Sequence, residues 1–188
     1  MSEPRTALQG ATAQGFVTVS EDGLHGMISL RGDLNDPKLK AAVAKLTGAE
    51  VPAAGRISWK GDRGVAWMSP DELLVIGPYS SAGKDALVLS KALKGVHHLV
   101  ANVSDARAVF RIEGAGFREV LAKLTPADVS MDAFGIGQIR RSRFAQVAGA
   151  CWMLEEGSAR VVCFRSVAGY IFGLLEHAAL SGSEVGYV

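Results

Sequence analysis

Three arginines within four positions, Arg140-Arg141-Ser142-Arg143, are the side chains of this sequence best suited to interaction chemistry. A guanidinium is a rigid fork of donors that matches a carboxylate bidentately, so the cluster suits ion pairing with acidic groups of another molecule. Strand alternation sets Arg141 and Arg143 on one face and Arg140 on the other. The same charges also suit a solvated edge strand, where basic residues deter unwanted pairing. Trp59 is the second candidate contact. Ala66-Trp67-Met68 and Cys151-Trp152-Met153 place two tryptophans in matching contexts, as twin core anchors, whereas Trp59 has no such twin.

Other chemistry finds less support. Gly135-Ile136-Gly137 precedes a strand rather than a helix, so its glycines shape a turn and not a dinucleotide loop. Gly83-Lys84-Asp85 lacks the upstream glycine and following hydroxyl of a phosphate loop. His97 and His98 are adjacent in a strand and point to opposite faces, which does not suit chelation of one ion, while His25 and His177 are isolated. Cys151 and Cys163 lie on two arms of one hairpin. They are expected to be buried thiols, although a disulfide is open if they face each other. The expected catalytic, cofactor-binding and metal residues are therefore none.

The bulk properties agree with a partner-binding globular protein. Hydrophobic residues make up 48% of the chain and charged residues 21%, with a formal net charge of +1. That balance argues against broad binding to nucleic acid or an anionic membrane. No apolar run approaches the roughly 20 residues that span a bilayer. The start, Met1-Ser2-Glu3-Pro4-Arg5-Thr6, lacks the order of a signal peptide, so a cytoplasmic location is expected. The apolar surplus either fills the core with small residues or covers an interface with a larger partner.

The elements that must position these residues read as one pattern used twice. Met27-Ile28-Ser29-Leu30-Arg31-Gly32 resembles Val109-Phe110-Arg111-Ile112-Glu113-Gly114, and Ala44-Lys45-Leu46-Thr47 matches Ala122-Lys123-Leu124-Thr125. Each half predicts two strands (about 16–20 with 25–31, and 97–103 with 106–113), then a helix (36–47 and 115–125). Three strands and a final helix (81–95 and 166–180) complete each half. Asp36-Pro37 supplies an N-cap and a first-turn proline, and Gly48 and Pro126 stop the first helix of each half. Ser69-Pro70-Asp71-Glu72 and Glu155-Glu156-Gly157-Ser158 turn the hairpins. The expected fold class is α+β, an internal duplication of a β2-α-β3-α unit forming one intertwined domain. Residues 1–15 form a flexible tail in this reading. Residues 16–188 form a single domain of two repeats, about 16–95 and 96–181, with a short C-terminal tail.

This plan resembles the folate-binding domain of the glycine-cleavage aminomethyltransferases. Within that group, four runs are similar to the gamma-subunit family of heterotetrameric sarcosine oxidases. They are Leu30-Arg31-Gly32-Asp33, Trp67-Met68-Ser69-Pro70-Asp71-Glu72-Leu73-Leu74, Asn102-Val103-Ser104-Asp105 and Phe134-Gly135-Ile136-Gly137-Gln138-Ile139-Arg140-Arg141. The resemblance implies a complex with alpha, beta and delta subunits that oxidatively demethylates sarcosine to glycine and passes the one-carbon unit to tetrahydrofolate. It implies that FAD, FMN, NAD and tetrahydrofolate belong to the partner subunits, zinc to delta, and no cofactor to this chain. The equivalent subunit of N-methylglutamate dehydrogenase and a stand-alone folate-binding aminomethyltransferase-like protein are the alternatives. A folate site would need a buried acceptor carboxylate; Asp105, Glu113 and Asp128 are the candidate acids.

Overall fold

The computed structural model describes residues 3–186. Residues 1–2 of the expected N-terminal tail and 187–188 of the expected C-terminal tail lie outside the described residues. The strands run β1 (Thr12–Gln14), β2 (Thr18–Glu21), β3 (His25–Gly32), β4 (Ile57–Lys60), β5 (Arg63–Ser69), β6 (Glu72–Pro78), β7 (His98–Asn102), β8 (Arg107–Glu113), β9 (Ile139–Phe144), β10 (Val147–Trp152) and β11 (Ser158–Phe164). The helices are α1 (Pro37–Thr47), α2 (Ala82–Ala92), α3 (Phe117–Leu124) and α4 (Ala168–Ala178). The fold is α+β, and each of the predicted strands and helices is present. The chain divides into two compact units, residues 24–104 and residues 1–23 with 105–188.

In the unit of residues 24–104 the antiparallel sheet has the order β4-β5-β6-β3-β7. Leu30, Val65 and Leu73 face α1 and meet Leu39 and Val43, all fully buried. Such side chains each contribute roughly 1.5–3 kcal/mol on burial, which is what holds the helix to the sheet. α1 begins where the Asp36 carboxylate accepts from the Lys38 and Leu39 amides at 2.7 and 3.2 Å. It ends at Gly48, whose φ of 70° few other residues adopt cheaply. Asp85 of α2 receives Arg63 Nη1 and Ser81 Oγ, both at 2.6 Å, and this ties the helix start to β5.

In the other unit the order is β1-β2-β8-β11-β10-β9. Phe110, Ile112, Phe144, Cys151 and Val161 pack against Phe117, Val120 and Leu121 of α3 and Ile171 and Leu175 of α4. α3 stops at Leu124 because Thr125, which precedes Pro126, is extended at φ −126° and ψ 142°. The opposite face of this sheet is buried as well, through Val109, Ala150, Trp152 and Val162.

Three expectations meet a different arrangement. The two strands that open each half do not pair with each other: β2 pairs with β8, and β7 pairs with β3. Gly23, at φ 75°, turns the chain between β2 and β3 and sends them to separate sheets. The tryptophan match also slips by one residue. Trp67 belongs to the helix-facing cluster with Val65 and Leu73. Cys151 and Met153 face the helices in the second sheet, so Trp152 between them points the other way. The register equates Met153, not Trp152, with Trp67: Cys151 opposes Val161 as Val65 opposes Val75. Finally, the expected flexible segment 1–15 carries β1, paired with β2. Its Leu8 and Gly10 amides donate to the Glu21 carboxylate at 3.0 and 2.8 Å, and Arg165 Nη2 donates to the Arg5 carbonyl at 2.8 Å.

Candidate functional site

β9 lies at one edge of its sheet and carries the arginine cluster. Exposure alternates along it as expected: Arg141 and Arg143 are exposed, and Arg140 is half-buried. Arg140 turns inward and is used locally. Its guanidinium donates to the Ala133 carbonyl and to Gln138 Oε1 at 3.0 Å, and sits 5.7 Å from the centre of the Phe134 ring. Arg141 and Arg143 point to the other face of the strand and are exposed. Trp59 sits on β4, the edge strand of the other unit's sheet. Its indole N–H donates to the Gly61 carbonyl at 2.9 Å, and its ring covers Gly64 directly across the strand pair. A Cβ at Gly64 would lie 2.0 Å from the ring, so the Trp59–Gly64 pair is mutually shaped, with Trp59 as a residue 36% exposed.

Sequence reasoning missed Arg118. It lies in α3, is 7% exposed, and donates to three backbone carbonyls: Val129 at 2.8 Å, Ser130 at 3.2 Å and Phe134 at 2.6 Å. Its charge also lies 4.9 Å from the centre of the Phe117 ring. Burial pulls its pKa down, with Glu156 opposing, yet a guanidinium stays protonated. The available signal was positional: Arg118 directly follows Phe117 and lies three residues before Leu121, at the margin of the apolar stripe. The neighbouring Glu119 receives the Val185 amide, and the Gly186 amide at 3.1 Å. The Val185 hydrogen bond above all, with Gly186 and Lys123, holds its carboxyl below the usual range. Lys123 Nζ donates to the Ala178 and Ser183 carbonyls at 3.0 and 2.7 Å. These contacts wall a cleft of about 530 Å³ lined by Ala122, Lys123, Pro126, Ala127, Asp128 and Val185, among others.

The candidate acids do not converge on one pocket. Asp105 lies in the turn before β8 and Glu113 at its far end, where Glu113 pairs with Arg111 at 2.9 Å. Asp128 accepts from the Ser130 amide and hydroxyl at 3.0 and 2.7 Å, a local turn. Gly135 and Gly137 do shape a turn: Gly137 has φ 75° and its amide donates to the Met153 carbonyl at 3.0 Å. Gly83-Lys84-Asp85 lies inside α2. His98 Nδ1 contacts the Val96 carbonyl at 2.8 Å. Among the described residues no group of three His, Cys, Asp or Glu side chains could hold a metal ion.

Cys151 and Cys163 are free and buried. Both face the helices, but Cys163 lies across from Gly149 and Cys151 across from Val161, so the thiols are offset diagonally. Burial pushes their pKa values up to about 12 and about 11. At pH 8 almost no thiolate exists to react. The native chain should therefore resist a thiol-specific reagent, and both cysteines should label once it is unfolded in urea. Rapid labelling of two thiols in the native state would contradict this.

Residues 31–181 match the Sarcosine oxidase, gamma subunit family. The chain belongs to that family. A sarcosine oxidase subunit gamma from Arthrobacter sp is 30% identical over 152 residues, covering 80% of this chain and 73% of the relative. Among solved structures, a chain of the heterotetrameric sarcosine oxidase from Corynebacterium sp. U-96, in complex with pyrrole 2-carboxylate, matches with a TM-score of 0.80. The identity is 27%, over 89% of this chain and 87% of that one. The glycine cleavage system aminomethyltransferase T from Bartonella henselae shares the fold, with a TM-score of 0.58 and 13% identity over 84% of this chain and 45% of the other.

The runs that carry the gamma-family likeness are joints of the fold. Arg31 pairs with Glu72 directly across β3 and β6 at 2.9 Å, and Ser29 Oγ donates to the same carboxylate at 2.9 Å. Asn102 Oδ1 receives the Ser104 hydroxyl at 2.6 Å, while Ser104 Oγ accepts the Met27 amide at 2.9 Å. In the run 134–141, Phe134 is fully buried under Arg118, and Arg140 binds the loop before it. Among the described residues no helix is long and apolar enough to cross a membrane.

Proposed function

We propose that this gamma-family chain is a non-catalytic subunit of a heterotetrameric sarcosine oxidase, assembled in the cytoplasm with alpha, beta and delta subunits. The partners hold FAD, FMN, NAD and tetrahydrofolate, and the complex demethylates sarcosine to glycine. The observation that carries this reading is the likeness, over nearly the whole chain, to a chain of the heterotetrameric enzyme. The dispersal of the candidate acids into turns and ion pairs supports a bracing role rather than a chemical one. We also infer that the two halves arose by duplication. Ile28 and Leu30 face α1 and α2 as Phe110 and Ile112 face α3 and α4.

Arg141 and Arg143 then serve as a contact to acidic groups of a partner, and Trp59 as a half-covered contact on the other unit. The test is affinity capture of the chain from its native cytoplasm, followed by an absorbance spectrum. A yellow complex with three further chains is expected; a colourless monomer that binds tetrahydrofolate would overturn the reading. Reversing both charges, Arg141→Glu with Arg143→Glu, should cut retention of the partners by about tenfold, the effect of losing a strong interface contact. Unchanged retention would return these arginines to the role of a solvated edge.

A further inference from the structure

Residues 125–138, between α3 and β9, form a connection without regular secondary structure beyond turns. Links between elements are usually far shorter, and irregular segments of this length tend to be functional. This one is pinned from inside. Arg118 binds the carbonyls of Val129, Ser130 and Phe134, Arg140 binds that of Ala133, and the buried Phe134 ring anchors the middle. Committing two half- or fully buried guanidinium groups to one loop carries a desolvation cost that a mere linker does not need. The pinned loop displays two large apolar side chains: Met131 is 74% exposed and Ile136 50%. Asp128 and Asp132 flank Met131 and are exposed too.

We propose that this loop is a pre-formed docking element for another subunit of the oxidase, seating Met131 and Ile136 in an apolar depression rimmed by Lys or Arg. The proposal rests on the reading of the chain as an oxidase subunit. A rigid loop loses little conformational freedom on binding, so its apolar anchors are spent on affinity. Methionine adapts its shape to an irregular seat. The acidic flanks set the sign of the partner's rim by charge complementarity. The loop's first residues also line the 530 Å³ cleft beside α3, so the same surface offers a recess next to the projecting side chains.

The test is co-expression of the whole complex with wild-type chain or with Met131→Lys, Ile136→Asp or Asp132→Lys. These positions are exposed, so the unfolding midpoint of each isolated variant should equal that of wild type. Retention of the chain by the other subunits should fall by about tenfold for Met131→Lys, and Asp132→Lys should lower it as well. Wild-type retention in all three variants would overturn the docking role while leaving the subunit reading intact. If wild-type chain itself is not retained, the subunit reading fails and the docking role falls with it. If the variants abolish only self-association of the isolated chain, the occupant is a second copy and the proposal is wrong.

Discussion

Arg118→Met should lower the stability of the unit built on residues 1–23 and 105–188 by about 3 kcal/mol. The methionine keeps the aliphatic bulk beside Phe117, Phe134 and Met153 but removes the donors to three carbonyls. A buried group left without its partner costs about 1–3 kcal/mol, and the Val129 and Phe134 carbonyls lose theirs while Ser130 keeps the Ala133 and Phe134 amides, so these two groups outweigh any gain from avoiding a buried charge. A chain of this size loses about 2–4 °C per kcal/mol, so Tm should drop by on the order of 10 °C. Urea unfolding followed by tryptophan fluorescence in a Trp59→Phe, Trp67→Phe background would measure this, because the remaining Trp152 lies in the same unit. Arg118→Lys should recover only part of the loss, since a single ammonium does not reproduce the span of a guanidinium fork. A loss under about 1 kcal/mol for Arg118→Met would mean the loop carbonyls find water, and the clamp would be incidental.

Gly15→Ala should be the second large loss, for a steric reason alone. An ideal Cβ at this position lies 1.7 Å from the Ala179 carbonyl oxygen, and Ala179 is backbone that no rotamer can move aside. The chain there is held by the Phe16 amide donating to that same oxygen at 3.0 Å. The substitution must push the strand approach away from the end of α4, breaking this bond. Overpacking of this kind costs about 1–3 kcal/mol, and it should expose residues 3–14 to a protease. Gly173→Ala is the control. It lies in α4 with nothing within 4 Å of an added Cβ, and should stabilise the helix by roughly 0.5–1 kcal/mol. Equal stability of the Gly15 and Gly173 variants would remove the steric argument.

Much of the local structure was legible in the residues themselves. Asp36-Pro37 and Gly48 bound α1, and Pro126 ends α3 one residue after its last turn, because caps and proline act through their immediate neighbours. The alternation of β9 was legible for the same reason, and it divides Arg140 from Arg141 and Arg143. The interior role of Arg140 was not. The carbonyl of Ala133 comes within reach only once Phe134 is buried and the loop folds back.

By itself the sequence determined the order and type of the elements from β2 onward and the turns between them, and it carried the runs at Arg31, Glu72, Ser104 and Phe134 as a family resemblance. The elements and turns follow from short-range preferences of backbone and side chain. Only the tertiary structure decided which strands pair, that β2 joins β8 and β7 joins β3. It also decided that Trp152 turns away from the helices while Trp67 turns toward them. Strand partners are chosen by burial of whole faces, and a register shift of one residue reverses every side chain, so neither is written in a local motif. The same holds for Arg118, whose three acceptors lie beyond the end of its own helix and are gathered around it by the fold.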